Sequence, residues 1–122
     1  MPYVLLVYDH ADSLAGLSEH ERAVIYGEYE AFSRIEQVAG YRLQPPEKAT
    51  TLRIDGSRAE LNPGPFSDDR LPLAGFYFLQ TDAGDRNHAT ELARRIPAAR
   101  LGGAVEIRPL AGEPPEPVPR AH

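Results

Sequence analysis

The segment that most constrains the fold of this chain is an uninterrupted apolar run near its start. Residues 2–8 read PYVLLVY, and nearly all of these side chains favour β-structure. A continuous run of this kind is typical of a strand covered on both faces. It is far too short to cross a membrane, and no basic segment precedes it. We therefore expect a cytoplasmic protein without membrane contact, with this strand in its interior.

A long helix is predicted next, beginning at Ser18 and ending at Gly40. Ser18 and Glu21 have the spacing of a capping box, in which each residue satisfies an amide at the helix start. Apolar side chains then recur at helical spacing. Gly40 is interpreted as the C-terminal glycine of the helix, and a short strand is expected over 41–44.

A hairpin and a rigid loop are predicted in the middle of the chain. Residues 49–54 and 58–61 favour strands, and Asp55-Gly56 between them is a turn signal. Residues 62–65 read NPGP, in which two prolines lack an amide proton and the glycine bends freely. We expect these four residues to form a loop.

The second half repeats the strand–helix–strand pattern. A central strand is expected over 73–80, a helix from Asp82–Asp85 to Ile96, and a last strand over 103–110. The resulting order, β-α-β, hairpin, β-α-β, predicts a ferredoxin-like α+β fold with both helices on one face of the sheet. The other face needs a cover, for which a second copy is the simplest candidate, so a homodimer is predicted.

Composition excludes several classes of site and partner. The 122 residues predict one domain, over 1–110, followed by a proline-rich tail over 111–122 that is either disordered or a strap across a partner. The chain has no cysteine, which excludes disulfides and thiolate metal sites. Its net charge of −5 argues against nucleic acid as a partner. The histidines are scattered, so neither a metal nor another cofactor is expected.

Four segments of the chain carry a family resemblance: PYVLLVY at 2–8, LQPPEKATTLR at 43–53, GPF at 64–66 with LAGFYFL at 73–79, and ARRIPAARLGGAVEIRPL at 93–110. Together they resemble the DGPF-domain branch of the YCII-related family, whose members are of the dimeric α+β barrel type. The chain departs from that family in its loop, where Pro63 stands at the position of the family's aspartate and Asp68 replaces a glutamate. These departures weaken the prediction of catalysis at the loop.

The resemblance implies a homodimer that binds a small molecule. We expect this ligand to be apolar or aromatic and to carry an anionic or carbonyl group. Cofactor-free lyase, isomerase or cyclase chemistry is one expectation. The alternative is a non-catalytic ligand-binding or regulatory module, linked in some relatives to a sigma-factor system. The fold by itself does not choose between them.

Candidate binding residues follow from strand alternation and from the family segments. In the last strand Val105 and Ile107 face one way, whereas Glu106 and Arg108 face the other, towards the space between two sheets of a dimer. Arg108 would bind an anion or enolate oxygen there, with Glu106 beside it. The alternative is that the two pair with each other, or with Arg42 or Asp68, and only stabilise the strand.

The remaining candidates are proton-transfer and ligand-contacting groups. His10 lies next to Asp9, so it could act as a general base, as could Asp68; a solvated loop histidine is the alternative. The hydroxyl of Tyr77 needs a partner if it is buried, which makes it a candidate hydrogen-bond donor. Gln44 and Phe66, which lie within the family segments, are candidate ligand contacts.

Overall fold

The computed structural model describes residues 2–10, 12–67, 70–79 and 86–112, which form six strands and two helices. The elements are β1 (Tyr3–Tyr8), α1 (Glu19–Ser33), β2 (Val38–Arg42), β3 (Thr50–Asp55), β4 (Arg58–Pro63), β5 (Leu73–Leu79), α2 (Arg86–Ala93) and β6 (Ala104–Pro109). None of the helices in these ranges has the length and apolar character needed to cross a membrane.

Four strands form the main sheet, in the order β2-β5-β1-β6, and every neighbouring pair is antiparallel. Each helix connects two strands that are separated in the sheet by a third strand, which is the ferredoxin-like arrangement. β3 and β4 form a separate two-stranded sheet between the two halves. The predicted α+β fold, including the inserted hairpin, is confirmed.

The core lies on one side of the main sheet, between the sheet and the helices. Along β1, Tyr3, Leu5 and Val7 are buried against the helices, whereas Val4 and Leu6 on the other side are half-buried. We call this second side the open sheet face. The register adds further side chains to it: Tyr8, Tyr41, Phe76, Phe78, Glu106 and Arg108.

The predicted end of the first helix is wrong. Ser18 caps α1 through the expected capping box with Glu21, but the helix ends at Ser33 and Gly40 lies inside β2. A Cβ on Gly40 would contact the Phe76 carbonyl and lie 2.6 Å from the Tyr77 Cα. The glycine therefore permits β2 to approach β5 closely, and this strand pairing outweighs continued helix formation.

Two other boundaries differ from prediction. β4 continues through Pro63, which pairs with Thr50, so the loop begins at Gly64 rather than at residue 62. Proline is tolerated there because β4 is an edge strand of a two-stranded sheet. α2 ends at Ala93 instead of Ile96, since the residue before Pro97 is forced towards an extended backbone, with ψ of 119° at Ile96.

Some predictions fall outside the described residues. They concern the end of the central strand at Gln80, the helix start at 82–85, Asp68, and the tail beyond Gly112.

Replacing Gly40 with alanine tests the close approach of β2 to β5. Gly40→Ala is expected to lower the free energy of unfolding by about 3 kcal/mol, because the added methyl group meets backbone that cannot move independently. Gly27→Ala is the control, since a Cβ there meets nothing within 4 Å and alanine favours α1 by about 1 kcal/mol. Denaturant unfolding of both variants measures the difference, and a neutral Gly40→Ala would contradict this packing.

Candidate functional site

Two clefts lie side by side at one end of the main sheet. The first, of about 590 Å³, has mostly apolar walls, and we call it the apolar cleft. The second, of about 510 Å³, carries charged and polar groups, and we call it the polar cleft. They share a wall formed by 43–46 and 72–73. The two clefts are therefore adjacent, one mostly apolar and one polar.

The apolar cleft is formed where the hairpin joins the sheet. Leu43 and Pro45 line one side, and Pro65 and Phe66 line the other. Phe66 is 74% exposed, and its ring lies under the guanidinium of Arg53, with 5.5 Å between Cζ and the ring centroid. Phe66 thus lines the apolar cleft without being part of the core.

The loop after β1 forms one side of the polar cleft, and Asp9 holds its shape. The Asp9 carboxylate accepts hydrogen bonds from the His10 amide at 2.9 Å and from the Ser13 hydroxyl at 3.1 Å. Its own amide donates to the Pro72 carbonyl at 3.1 Å. Asp9 and His10 are therefore joined through the backbone, and within the described ranges no hydrogen bond links the His10 imidazole to this carboxylate.

Arg42 carries positive charge into the polar cleft. It is the last residue of β2 and lies on the helix-facing side, in alternation with buried Val38. Its Cζ lies 4.4 Å from the centroid of the Tyr29 ring and 5.6 Å from that of Tyr26, within the range of cation–π attraction. These two rings hold the guanidinium without neutralising it.

The second arginine of the polar cleft is already engaged. Arg22 donates from Nε and Nη2 to the Leu17 carbonyl, at 3.2 and 3.0 Å. Arg42, by contrast, forms no ion pair within 4.0 Å with any carboxylate in the part of the chain that the structure describes. Arg42 is thus better placed than Arg22 to bind an anionic group.

A narrow crevice extends the polar cleft towards the core and brings Asp9 and Arg42 together with Tyr29 and Tyr77. Its volume of about 10 Å³ is close to the space that one water-sized group occupies. Tyr77 is 2% exposed, and its ring packs edge-on against Phe32 with 5.0 Å between centroids. The crevice is therefore at most large enough for one water-sized group, and the packed Tyr77 ring forms part of its wall.

Burial raises the pKa of both tyrosines in the crevice. For Tyr77, the loss of solvent raises the pKa most, nearby Tyr29 adds to the rise, and Arg42 opposes it. For Tyr29, burial is again the largest cause, followed by the negative charge of Asp9. Both hydroxyls therefore stay protonated at neutral pH, and Tyr77 can donate a hydrogen bond.

Glu106 and Arg108 lie elsewhere, on the open sheet face. Arg108 Nε donates to Glu106 Oε2 at 2.9 Å, and the Tyr8 hydroxyl donates to Glu106 Oε1 at 3.3 Å. The hydrogen bond from Arg108 lowers the pKa of Glu106. The ion pair between Glu106 and Arg108 that the sequence suggested is therefore present. The alternative pairing with Arg42 is absent, because Arg42 lies on the opposite face of the sheet.

The structure divides the candidate residues among several places. His10 and Gln44 line the polar cleft, and Gln44 and Phe66 line the apolar cleft, so Gln44 belongs to the shared wall. Tyr77 lies in the crevice. Neither Glu106 nor Arg108 lines these clefts, and Asp68 is outside the described residues.

Sequence reasoning missed Arg42 as a functional candidate because it placed the strand at 41–44. A strand at 38–42 puts Arg42 on the same side as the apolar residue Val38, which is an unusual place for a charged group. The alternation of Arg42 with Val38 is the sequence signal that identifies Arg42 as a candidate.

The fold and its clefts define a small ferredoxin-like α+β domain with an inserted hairpin. No family model matches the chain. It is 30% identical over 117 residues to the uncharacterized protein R00369 of Rhizobium meliloti (strain 1021), and the alignment covers 91% of this chain and 93% of that protein. The chain therefore belongs to the same family as that protein.

An alkaline titration tests the burial of the crevice tyrosines. The folded protein holds the Tyr77 proton more tightly than the unfolded chain does. Tyr77 therefore contributes fully to the free energy of unfolding below pH 10, and this contribution is lost as the pH rises above that value. Tyr77→Phe is expected to reduce this alkaline loss of unfolding free energy. Tyr26→Phe, which removes a half-exposed phenol, is the control. An equal effect of both substitutions would contradict the assignment to Tyr77.

Proposed function

We propose that this protein binds a small apolar or aromatic molecule that carries an anionic or carbonyl group. The observation that carries the proposal is the position of Arg42, which lines the polar cleft and its crevice, beside the apolar cleft, and forms no ion pair with a carboxylate among the described residues. Ligand sites commonly combine apolar walls with a few fixed polar groups. The resemblance to the DGPF-domain branch of the YCII-related family supports the same proposal.

The ligand's apolar part would occupy the apolar cleft, against Phe66 and the prolines around it. Its oxygen would lie at the crevice, where Arg42 supplies charge and Tyr77 donates a hydrogen bond. Gln44, on the shared wall, would contact the part of the ligand between the two ends. Tyr29 and Tyr26 hold the guanidinium in place before the ligand arrives, which reduces the entropy lost on binding.

Cofactor-free proton transfer is the chemistry that these groups could perform. With a substrate that carries an acidic C–H next to a carbonyl, His10 would take the proton and the electron pair would move to the carbonyl oxygen. Arg42 and Tyr77 would then bind the resulting enolate oxygen. Elimination, isomerisation or cyclisation could follow from this one intermediate.

A non-catalytic ligand-binding or regulatory module is the second candidate. It is favoured by the contact between Asp9 and the His10 amide, because a general base is usually oriented by a carboxylate on its imidazole. Pro63 at the position of the family's loop acid favours it as well. Deuterium exchange at the acidic C–H of a bound ketone, followed by NMR in D₂O, distinguishes binding from catalysis. We also propose a cytoplasmic location, with which a chain without cysteine is consistent.

Binding of aromatic carboxylates tests the proposed site. Benzoate and phenylacetate are expected to raise the melting temperature, and benzyl alcohol, which has no charge, is expected to do so less. Arg42→Met should weaken binding about tenfold to hundredfold, the value of a charge-assisted hydrogen bond of about 1.5–3 kcal/mol. Titration calorimetry measures the loss.

Two further variants locate the anion. Arg34→Met is the control for lost surface charge, since Arg34 pairs with Glu30 on the exposed side of α1. Arg108→Met tests the open sheet face. Loss of binding in Arg108→Met alone would move the site to that face, and no response to any carboxylate would refute the proposal.

We also propose that the protein is a homodimer that buries the open sheet faces. Val4, Leu6, Phe76 and Phe78 make the centre of this face apolar, and the Tyr41 and Phe78 rings both pack edge-on against Phe76. A continuous apolar patch on a small protein commonly marks an interface. A two-fold axis brings the same face of each copy together, so a single apolar face on the chain is sufficient to form the dimer interface.

The mass in solution tests the dimer. Sedimentation at micromolar concentration is expected to give twice the 13.5 kDa of the chain. Leu6→Gln, at the centre of the open sheet face, should shift the equilibrium towards monomer, whereas Val24→Gln on the exposed side of α1 should not. A wild-type monomer at micromolar concentration would disprove the proposal.

A further inference from the structure

The hairpin formed by β3 and β4 is amphipathic, with one wholly apolar or uncharged face. Register pairs Leu52 with Leu61 and Ile54 with Ala59, so these four side chains lie on the same face. Thr50 and Pro63 complete it at the base of the hairpin. Leu52, Ile54 and Leu61 are 56%, 67% and 69% exposed. A strand face left in water is ordinarily polar, so this face is built to be covered.

The opposite face of the hairpin is charged and internally balanced. Arg53 is opposite Glu60, and Asp55 is opposite Arg58, next to the turn. Opposite charges across a strand pair stabilise the hairpin and suit a surface that remains in water. Because all four charges lie on this side, none of them interrupts the apolar side.

The hairpin makes no ladder hydrogen bonds with the main sheet. An isolated two-stranded hairpin is only marginally stable and usually needs a third strand or a packed surface. Gly56 has φ of +63° at the first position of a two-residue turn, and no other residue of the hairpin has positive φ. This is the pattern of a type II′ turn, whose twist matches that of a hairpin. The turn defines the shape of the hairpin but adds no packed surface. The stabilisation that the hairpin lacks is therefore a surface packed against its apolar face.

From these observations we infer that the apolar face of the hairpin docks on the open sheet face of a second copy of this chain. This inference rests on the proposed homodimer and adds a second contact to it. Three aliphatic side chains that each expose about 100 Å² give the hairpin roughly 300 Å² of apolar surface. A stable interface needs about 800 Å² from each partner, so the hairpin is too small to hold a partner alone.

A second copy supplies the rest of that area. The described part of the chain has another partly exposed apolar surface, the open sheet face, which is four strands wide. In a two-fold dimer each contact occurs twice, so each hairpin can lie on the partner's sheet while the partner's hairpin lies on its own. The contact between the two open sheet faces and the two reciprocal hairpin contacts together cover both surfaces with no other molecule, which is why a second copy fits better than an unrelated protein.

Single introduced cysteines test the docking, because the chain has none of its own. Ile54→Cys places a thiol on the apolar face, and Glu60→Cys places one on the charged face of the same hairpin. Alkylation by iodoacetamide is measured above and below the concentration at which the dimer dissociates. The thiol of the Ile54→Cys variant is expected to react at least tenfold more slowly in the dimer than in the monomer. That of the Glu60→Cys variant should change less than twofold.

Each other outcome overturns the inference in a distinct way. If both variants react rapidly in a protein that sediments as a dimer, the dimer stands and the hairpin is left for another partner. If the Ile54→Cys variant is protected even as a monomer, the same chain covers the face. If both positions are equally protected, the docking does not use one face. A monomer at every concentration removes the hairpin contact together with the dimer.

A second measurement does not depend on thiol chemistry. Leu52→Ser combined with Leu61→Ser is expected to raise the dimer dissociation constant at least tenfold, since both side chains lie on the apolar face. Arg53→Ser combined with Glu60→Ser changes the charged face and should raise it less than threefold. Circular dichroism confirms that both double variants are folded. Equal effects of the two pairs would contradict docking by the apolar face.

Discussion

The packing of Tyr77 between α1 and β2 is the contact on which the rest of the structure depends. Its ring lies edge-on against Phe32 of the helix, while its backbone lies so close to Gly40 that no side chain fits there. This contact holds β2 against β5 and the helix against both strands. It also places Tyr29, one turn before Phe32, beneath Arg42. The position of the crevice therefore follows directly from how the core packs.

Local sequence signals predicted the order of elements well and their ends less well. The capping box at Ser18, the Asp55-Gly56 turn and the alternation in β6 each depend on neighbouring residues, and all are present. Gly40 shows where such signals fail. Glycine serves both to end a helix and to allow two backbones to approach, and only the position of β5, more than thirty residues away, decides between these uses.

Local sequence signals were limited in the same way in predicting the site. Alternation correctly separated Tyr77 from Phe76 and Phe78, because the faces of one strand alternate strictly. It could not show which faces of different strands would meet. Tyr77 and Arg108 are both candidate site residues from sequence, yet their side chains lie on opposite faces of the sheet. Arg42 reaches the site only through the register of β2 against β5.

The two arginines on this sheet differ in how much of their charge a ligand can use. An anion that binds Arg108 must compete with Glu106, which already accepts hydrogen bonds from that guanidinium and whose pKa is lowered by it. An anion that binds Arg42 displaces no carboxylate, because the groups that hold this guanidinium are neutral aromatic rings. Aromatic faces attract a cation without cancelling its field at a distance. Tyr29 and Tyr77 also keep their protons, so they add no negative charge to that of Asp9, which lines the same crevice. On electrostatic grounds the proposed anion site is therefore better placed at Arg42 than at Arg108.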